Sequence, residues 1–212
     1  NQFLPSSSIS VNALSVGDNH TVTVAGQFNC QQNIYIYPDA IVDLSAAQII
    51  NLGTVNLRGG KLIADTIAIP SGEIFSGMGT LETDLINAGT LSPGSSPGAL
   101  MVDGNYSQEA SGAFSVELGG ITAGSEYDQL VVTGSAELAG DLDVVLIDEF
   151  LPLSGQSFIL MTYADSTGTF NTVNLPPVTA KMEWTLDYTE TALRLSLVEK
   201  GALNNFLPLF VH

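Results

Sequence analysis

The chain has 212 residues, and five Lys and Arg stand against 22 Asp and Glu, for a formal net charge of −17 with 45% hydrophobic and 13% charged residues. Hydrophobicity at that level excludes intrinsic disorder, and the shortage of cations excludes binding along rows of phosphates, in nucleic acid or at an anionic membrane surface. No apolar run approaches the roughly 18 residues of a membrane-spanning helix, and the one cysteine, Cys30, leaves no intramolecular disulfide and no cysteine-rich metal site.

Four segments are expected along the chain. Residues 1–33 read as an N-terminal strand or cap segment, opening at Asn1 with no Met, as after removal of a secretion signal or trimming. Thr21-Val-Thr-Val24 alternates with period two. Residues 34–98 read as short stacked rungs. Ala40–Leu44, Gly53–Leu57, Gly60–Ile63, Thr66–Ile69, Gly72–Phe75, Gly79–Thr83 and Asn87–Leu91 are strands of three to five residues. Each carries one or two inward apolar side chains and is followed by a turn residue. Leu44–Ile50 is the best candidate for a short helical turn. Strands so short and frequent suit a parallel β-helix, a β-solenoid of right-handed sense by the usual crossover rule.

Ser92-Pro-Gly-Ser-Ser-Pro-Gly98 is a double Pro-Gly turn, and Pro followed by Gly favours type II geometry. Residues 99–200 then carry longer alternating strands, among them Phe114–Leu118, Leu142–Leu146 and Leu193–Leu197. They either continue the solenoid or fold as a β-sandwich-like cap. The fold class is all-β in both cases. Residues 201–212 form an apolar tail.

The second half resembles the C-terminal part of autotransporter-type β-helix passenger domains and their passenger-associated repeats. Gly89-Thr-Leu-Ser-Pro-Gly-Ser-Ser-Pro-Gly98, Leu100-Met-Val-Asp-Gly-Asn-Tyr106, Val116-Glu-Leu-Gly-Gly120, Tyr127-Asp-Gln-Leu-Val-Val-Thr-Gly134 and Leu138-Ala-Gly-Asp-Leu-Asp-Val144 carry the likeness. Gly168–Val173 and Trp184–Tyr188 close it, so it covers roughly residues 79–198. The resemblance implies a secreted β-helical module. It implies no activity, since such modules serve adhesins, enzymes and scaffolds alike. An autotransporter continues into a membrane β-barrel, so a chain ending at His212 is expected not to translocate itself.

Catalytic chemistry is hard to assemble from these residues. The two histidines, His20 and His212, have no Ser-Asp or Cys partner at a recognisable spacing. Glycosidase chemistry needs two carboxylates in a groove. Asp141 and Asp143 project from one face of one strand, roughly 6.5–7 Å apart, opposite Leu142 and Val144. With Asp148 and Glu149 they are also the weak candidates for a Ca2+ site. A solvated outer face is the plainer reading, so neither a catalytic residue nor a cofactor is assigned.

The ends carry the functional signal. Phe3 and Leu4 open the chain, and Phe206, Leu207, Leu209, Phe210 and Val211 crowd its close. Such segments either cap the chain's own solenoid or dock on a neighbouring subunit. The expected function is a structural one without enzymatic activity. The chain is read as a secreted subunit of a prokaryotic extracellular filament, sheath or surface layer, its partner being itself, head to tail. The alternative is a monomeric adhesin or glycan-binding module, which requires aromatic residues on one exposed face, drawn from Tyr35, Tyr37, Tyr106, Tyr127, Tyr163 and Tyr188. A third reading is a carbohydrate-active enzyme.

Overall fold

The computed structural model describes residues 2–4 and 9–201. No helix occurs among them. Twenty strands do: β1 (Gln2–Leu4), β2 (Ile9–Val11), β3 (Leu14–Val16), β4 (Thr21–Cys30), β5 (Asn33–Ile36), β6 (Ile41–Asn51), β7 (Thr54–Ile69), β8 (Ile74–Asn87), β9 (Thr90–Pro93) and β10 (Ala99–Val102). The remainder are β11 (Tyr106–Gln108), β12 (Ala113–Leu118), β13 (Gln129–Val132), β14 (Ser135–Leu138), β15 (Asp141–Leu146), β16 (Ser157–Thr162), β17 (Asp165–Gly168), β18 (Thr172–Asn174), β19 (Met182–Tyr188) and β20 (Ala192–Glu199). All belong to one large, mostly parallel sheet.

The pairings sort into three ladders. In the first, Val22 faces Val42, Val42 faces Leu62, Leu62 faces Leu81, Leu81 faces Val102 and Val102 faces Val132. The partner thus lies about 20 residues on in the N-terminal half and 30 on in the C-terminal half. The second ladder stacks Ile67, Leu85, Tyr106 and Ala136. The third stacks Phe75, Leu91, Phe114 and Leu142. Every one of these residues except Val22 is buried. The period-two pattern therefore fills the interior, at about 1.5–3 kcal/mol for each large apolar side chain withdrawn from water.

Residues 99–174 join the same ladders by parallel pairing, and β16, parallel to β13 on one side, is antiparallel to β20 on the other. Antiparallel pairing of strands is confined to β16 with β20 and β20 with β19, which closes the first ladder alone. The strands of this half are not longer than those before it; β7 and β8, at 16 and 14 residues, are the longest. What lengthens is the repeat, through the loops 119–128 and 147–156. Leu44–Ile50 is strand, not a helical turn. The Asp43 carboxylate accepts the Ser45 N–H and hydroxyl at 3.0 and 2.6 Å and bends the chain there, and Ala46–Ile49 pairs with β4.

The double Pro-Gly turn is also not two like turns. Gly94 takes a φ of +93°, as type II geometry after Pro93 requires. The second Pro-Gly follows a cis Ser96–Pro97 bond, and Gly98 is not among the positive-φ residues. Gly98 is needed for proximity instead, because a Cβ there would lie 2.5 Å from the Gly94 Cα.

Candidate functional site

One ladder is interrupted. The second ladder pairs Phe28 with Ile49 and resumes at Ile67 with Leu85. Between these steps, β6 and β7 pair only where Ile41–Asp43 meets Lys61–Ile63. The cause lies in corner length. From the first ladder to the second, the chain takes five residues from Thr23 to Phe28 and six from Asp43 to Ile49. It takes four from Ile63 to Ile67 and three from Glu82 to Leu85. The wall contracts at this step, and the two strands come apart.

A cleft of about 610 Å³ opens there. Its two sides are strand edges, 49–51 below and 66–69 above, each paired, among the described residues, on its far side only. Unpaired backbone edges template further pairing. The lining is apolar within, from Ile49, Val55, Ile67, Ile69 and Phe75, and polar at the rim, from Gln32, Asn51 and the carboxylate-bearing Glu73. Ile50 and Ile74, at 54% and 61% exposure, flank it. Sequence reading missed this cleft, because corner lengths become comparable only once the register is known.

The predicted site residues fall elsewhere. Asp141 and Asp143 stand half-buried on the outer side of β15, opposite buried Leu142 and Val144. Asp143 Oδ1 accepts the Asn174 side-chain amide at 2.7 Å. Asp148 and Glu149 lie in the turn beyond, at φ of 51° and 55°. Among the described residues, no group of three or more His, Cys, Asp or Glu side chains is placed to hold a metal ion. Phe3 and Leu4 lie in β1, opposite Thr23 and Val24 in the first ladder. Phe206, Leu207, Leu209, Phe210 and Val211 lie outside the described residues. His20 is exposed and shares a 2.7 Å hydrogen bond between Nδ1 and the Asp18 carbonyl.

The tyrosines divide. Tyr106, Tyr127 and Tyr163 are core residues, and burial pushes the Tyr106 and Tyr127 phenols up. Tyr188 packs against Phe170 at the far end of the sheet. Tyr35 and Tyr37 share one outward face, and the Arg58 guanidinium lies 5.1 and 5.6 Å from their ring centres. Two buried polar clusters were not anticipated. The Asp128 carboxylate accepts the N–H groups of Gly98 and Glu117 at 2.8 and 2.9 Å, and burial pushes it up to about 7. Gln108 Nε2 donates to the carbonyls of Gly112, Ala139 and Asp141, while its Oε1 accepts the Tyr106 hydroxyl at 2.7 Å. Both clusters hold backbone.

No protein-family model matches the sequence, and no curated protein matches it.

Proposed function

We propose that the three ladders wind as one β-solenoid and that the chain is a structural, self-assembling subunit of an extracellular filament, sheath or surface layer. The observation that carries this reading is the state of the ladder ends. Among the described residues β1, β2 and β3 each pair with one later strand only. At the other end β17 and β18 each pair with one earlier strand only. Among the described residues these outermost parallel strands carry one unpartnered backbone edge each, and such edges are suited to head-to-tail addition; a heterologous contact that does not close makes a filament. The buried ionisable groups support a role without catalysis, since Asp128 and Tyr106 are used up in holding neighbouring segments.

Electron microscopy of the purified chain in salt tests this. The first ladder runs through ten strands from β1 to β19. At ~4.8 Å per step, the expected filament has an axial repeat on the order of 45–50 Å. Uniform monodisperse particles at all salt concentrations overturn the reading.

A glycan-binding module is the second reading, and the pairing of Tyr35 and Tyr37 around Arg58 favours it. Aromatic faces beside a guanidinium suit a sugar ring and its hydroxyls. It requires that Tyr35→Ala and Tyr37→Ala each abolish binding in a glycan screen, with the fold intact.

A further inference from the structure

We infer that Tyr35, Tyr37 and Arg58 bind a saccharide that carries one carboxylate among neutral hydroxyls, an acidic sugar of the uronate type. The inference rests on the glycan-binding reading above and names the class of its ligand.

The site stands on the outward face of the third ladder. Ile34 and Ile36 of β5 are buried in the core, so Asn33, Tyr35 and, just past the strand's end, Tyr37 stand on the other side. One level up, Val55 and Leu57 face Ile34 and Ile36 and are buried too, which turns Asn56 and Arg58 outward. The neighbouring levels leave room. Ser15 faces Tyr35 from below, and Ser76 faces Asn56 from above. Gly17 follows Val16, whose carbonyl accepts the Tyr37 N–H at 3.1 Å. Beyond its chain neighbours, a Cβ on Gly17 would meet nothing within 4 Å among the described residues, so the space below Tyr37 is open.

The guanidinium sets the charge of the ligand. Arg58 is exposed, and contact with two rings restrains a side chain that otherwise loses much freedom on binding. Among the described residues it makes no hydrogen bond and no ion pair, the one ion pair being Lys61 with Glu82. In a chain with 22 Asp and Glu, this planar fork of donors stands unclaimed. Such a fork takes a carboxylate through two parallel N–H···O bonds.

The surroundings of the fork suit a sugar. Two tyrosine rings offer apolar faces with a hydroxyl at the tip. Asn33 Oδ1 accepts the Asn56 side-chain amide at 3.4 Å, which leaves Asn33 Nδ2 and Asn56 Oδ1 for hydroxyl groups. From Asn33 to Tyr37 the face runs about 13 Å, enough for more than one ring. Charge density is limited by the chain itself. Asp18 and Asp39 stand in the turns after Gly17 and Pro38, and the net charge is −17. One carboxylate seated on Arg58 is matched at contact, while the further charges of a polyanion meet only repulsion.

The test uses the full chain and three matched pairs of disaccharides, in the gluco, galacto and manno series. Each pair has a neutral member and a member with one ring oxidised to its uronate. Calorimetric titration at about 0.1 M sodium chloride reads the affinities. In at least one pair the uronate should bind about tenfold tighter or more than its neutral twin, as a charge-assisted pair of hydrogen bonds requires. Arg58→Gln should bring the two members of that pair within about threefold, and Arg58→Lys, a charge without the fork, should keep a smaller preference than the parent. Thermal melts equal to the parent's show that these variants fold. Equal affinities within every pair, or a preference that survives Arg58→Gln, overturn the inference and leave the glycan reading standing. A tetraglutamate peptide that binds more tightly than every saccharide, and is lost in Arg58→Gln, overturns it too. No binding of any disaccharide overturns both.

Discussion

The carboxylate of Asp128 accepts the backbone N–H of Gly98 at 2.8 Å, across thirty residues of sequence. Its other oxygen accepts the Glu117 N–H at 2.9 Å. One side chain thus fastens the end of the Pro-Gly turn to the end of β12. Asp128→Ala leaves two N–H donors without their acceptor, each at about 1–3 kcal/mol where buried. The expected loss is about 2–4 kcal/mol, read as a lower urea midpoint with an unchanged m value. A midpoint equal to that of the parent chain would overturn this account of the turn.

The same residue sets a pH dependence. Burial pushes the folded-state carboxyl up to about 7, and the N–H donors of Glu117 and Gly98 oppose it. Between pH ~4 and ~7 the folded chain therefore holds a proton that the unfolded chain has released. This contribution favours the folded state at the low end, declines as pH rises towards 7, and is level above. The slope is at most about 1.4 kcal/mol per pH unit. Other acidic groups also respond over this range, so the difference between the parent and Asp128→Asn is the measurement. That difference should vary with pH between 4 and 7 and be flat from 7.5 to 9.

Gly98→Ala probes the turn by shape. A Cβ at Gly98 would meet the Gly94 Cα at 2.5 Å and the Ser95 nitrogen at 3.3 Å. Backbone cannot yield as a flexible side-chain end can, so a cost of about 1–3 kcal/mol is expected. Ala at Gly72, with nothing within 4 Å but a φ of +85°, should cost about 1 kcal/mol by strain alone. Thermal melts that rank Gly72→Ala below Gly98→Ala would contradict the packing argument.

Gln108 joins successive levels of the sheet from inside. Its amide donates to Gly112 in one turn and to Ala139 and Asp141 in the next, at 2.8–3.1 Å. Gln108→Leu removes the amide's hydrogen bonds to three carbonyls, one N–H being shared, and takes away the acceptor of the Tyr106 O–H. Tyr106→Phe removes only the hydroxyl that Gln108 accepts and that the Asn87 amide reaches at 3.2 Å. The first should cost more than the second by about 1–3 kcal/mol. Faster amide exchange at Asp141 in Gln108→Leu alone would locate the effect.

Much of the strand content is written in local alternation. Phe114, Val116 and Leu118, or Leu193, Leu195 and Leu197, occupy every second position and are all buried. Gly and Asn at strand ends mark most of the bends. The ladder spacing is not written locally. Val42 and Leu62 carry no sign of each other, because no fixed repeat links them, and corner lengths of three to six residues shift the period. The cleft follows from those lengths and was hidden with them. Leu44–Ile50 looks helical because its apolar residues lie three and four apart, as Ala46, Ile49 and Ile50 do, while Asp43 ties down Ser45 at its start. Tyr35 and Tyr106 look alike in sequence. Only the register sends one outward beside Arg58 and the other into the core.

Assembly should depend on salt, and the charge pattern says how. With a net charge of −17, each subunit added in the proposed assembly would meet a like-charged neighbour. Among the described residues one ion pair is formed, between Lys61 and Glu82 at 3.0 Å, and both side chains are about two-fifths exposed, so it contributes little. Repulsion between exposed charges is screened over ~10 Å at 0.1 M salt and ~30 Å at 0.01 M. Raising sodium chloride from 0.01 to 0.3 M should therefore lower the critical concentration for assembly, while apolar contacts at the joint are little affected. Diffuse repulsion predicts that Ca2+ and Mg2+ act alike at matched concentration. A dedicated Ca2+ site at Asp141, Asp143, Asp148 and Glu149 predicts instead a sharp preference for Ca2+ at micromolar concentration, lost in Asp141→Asn, Asp143→Asn. Sedimentation across the salt series, with each divalent ion in turn, separates the two.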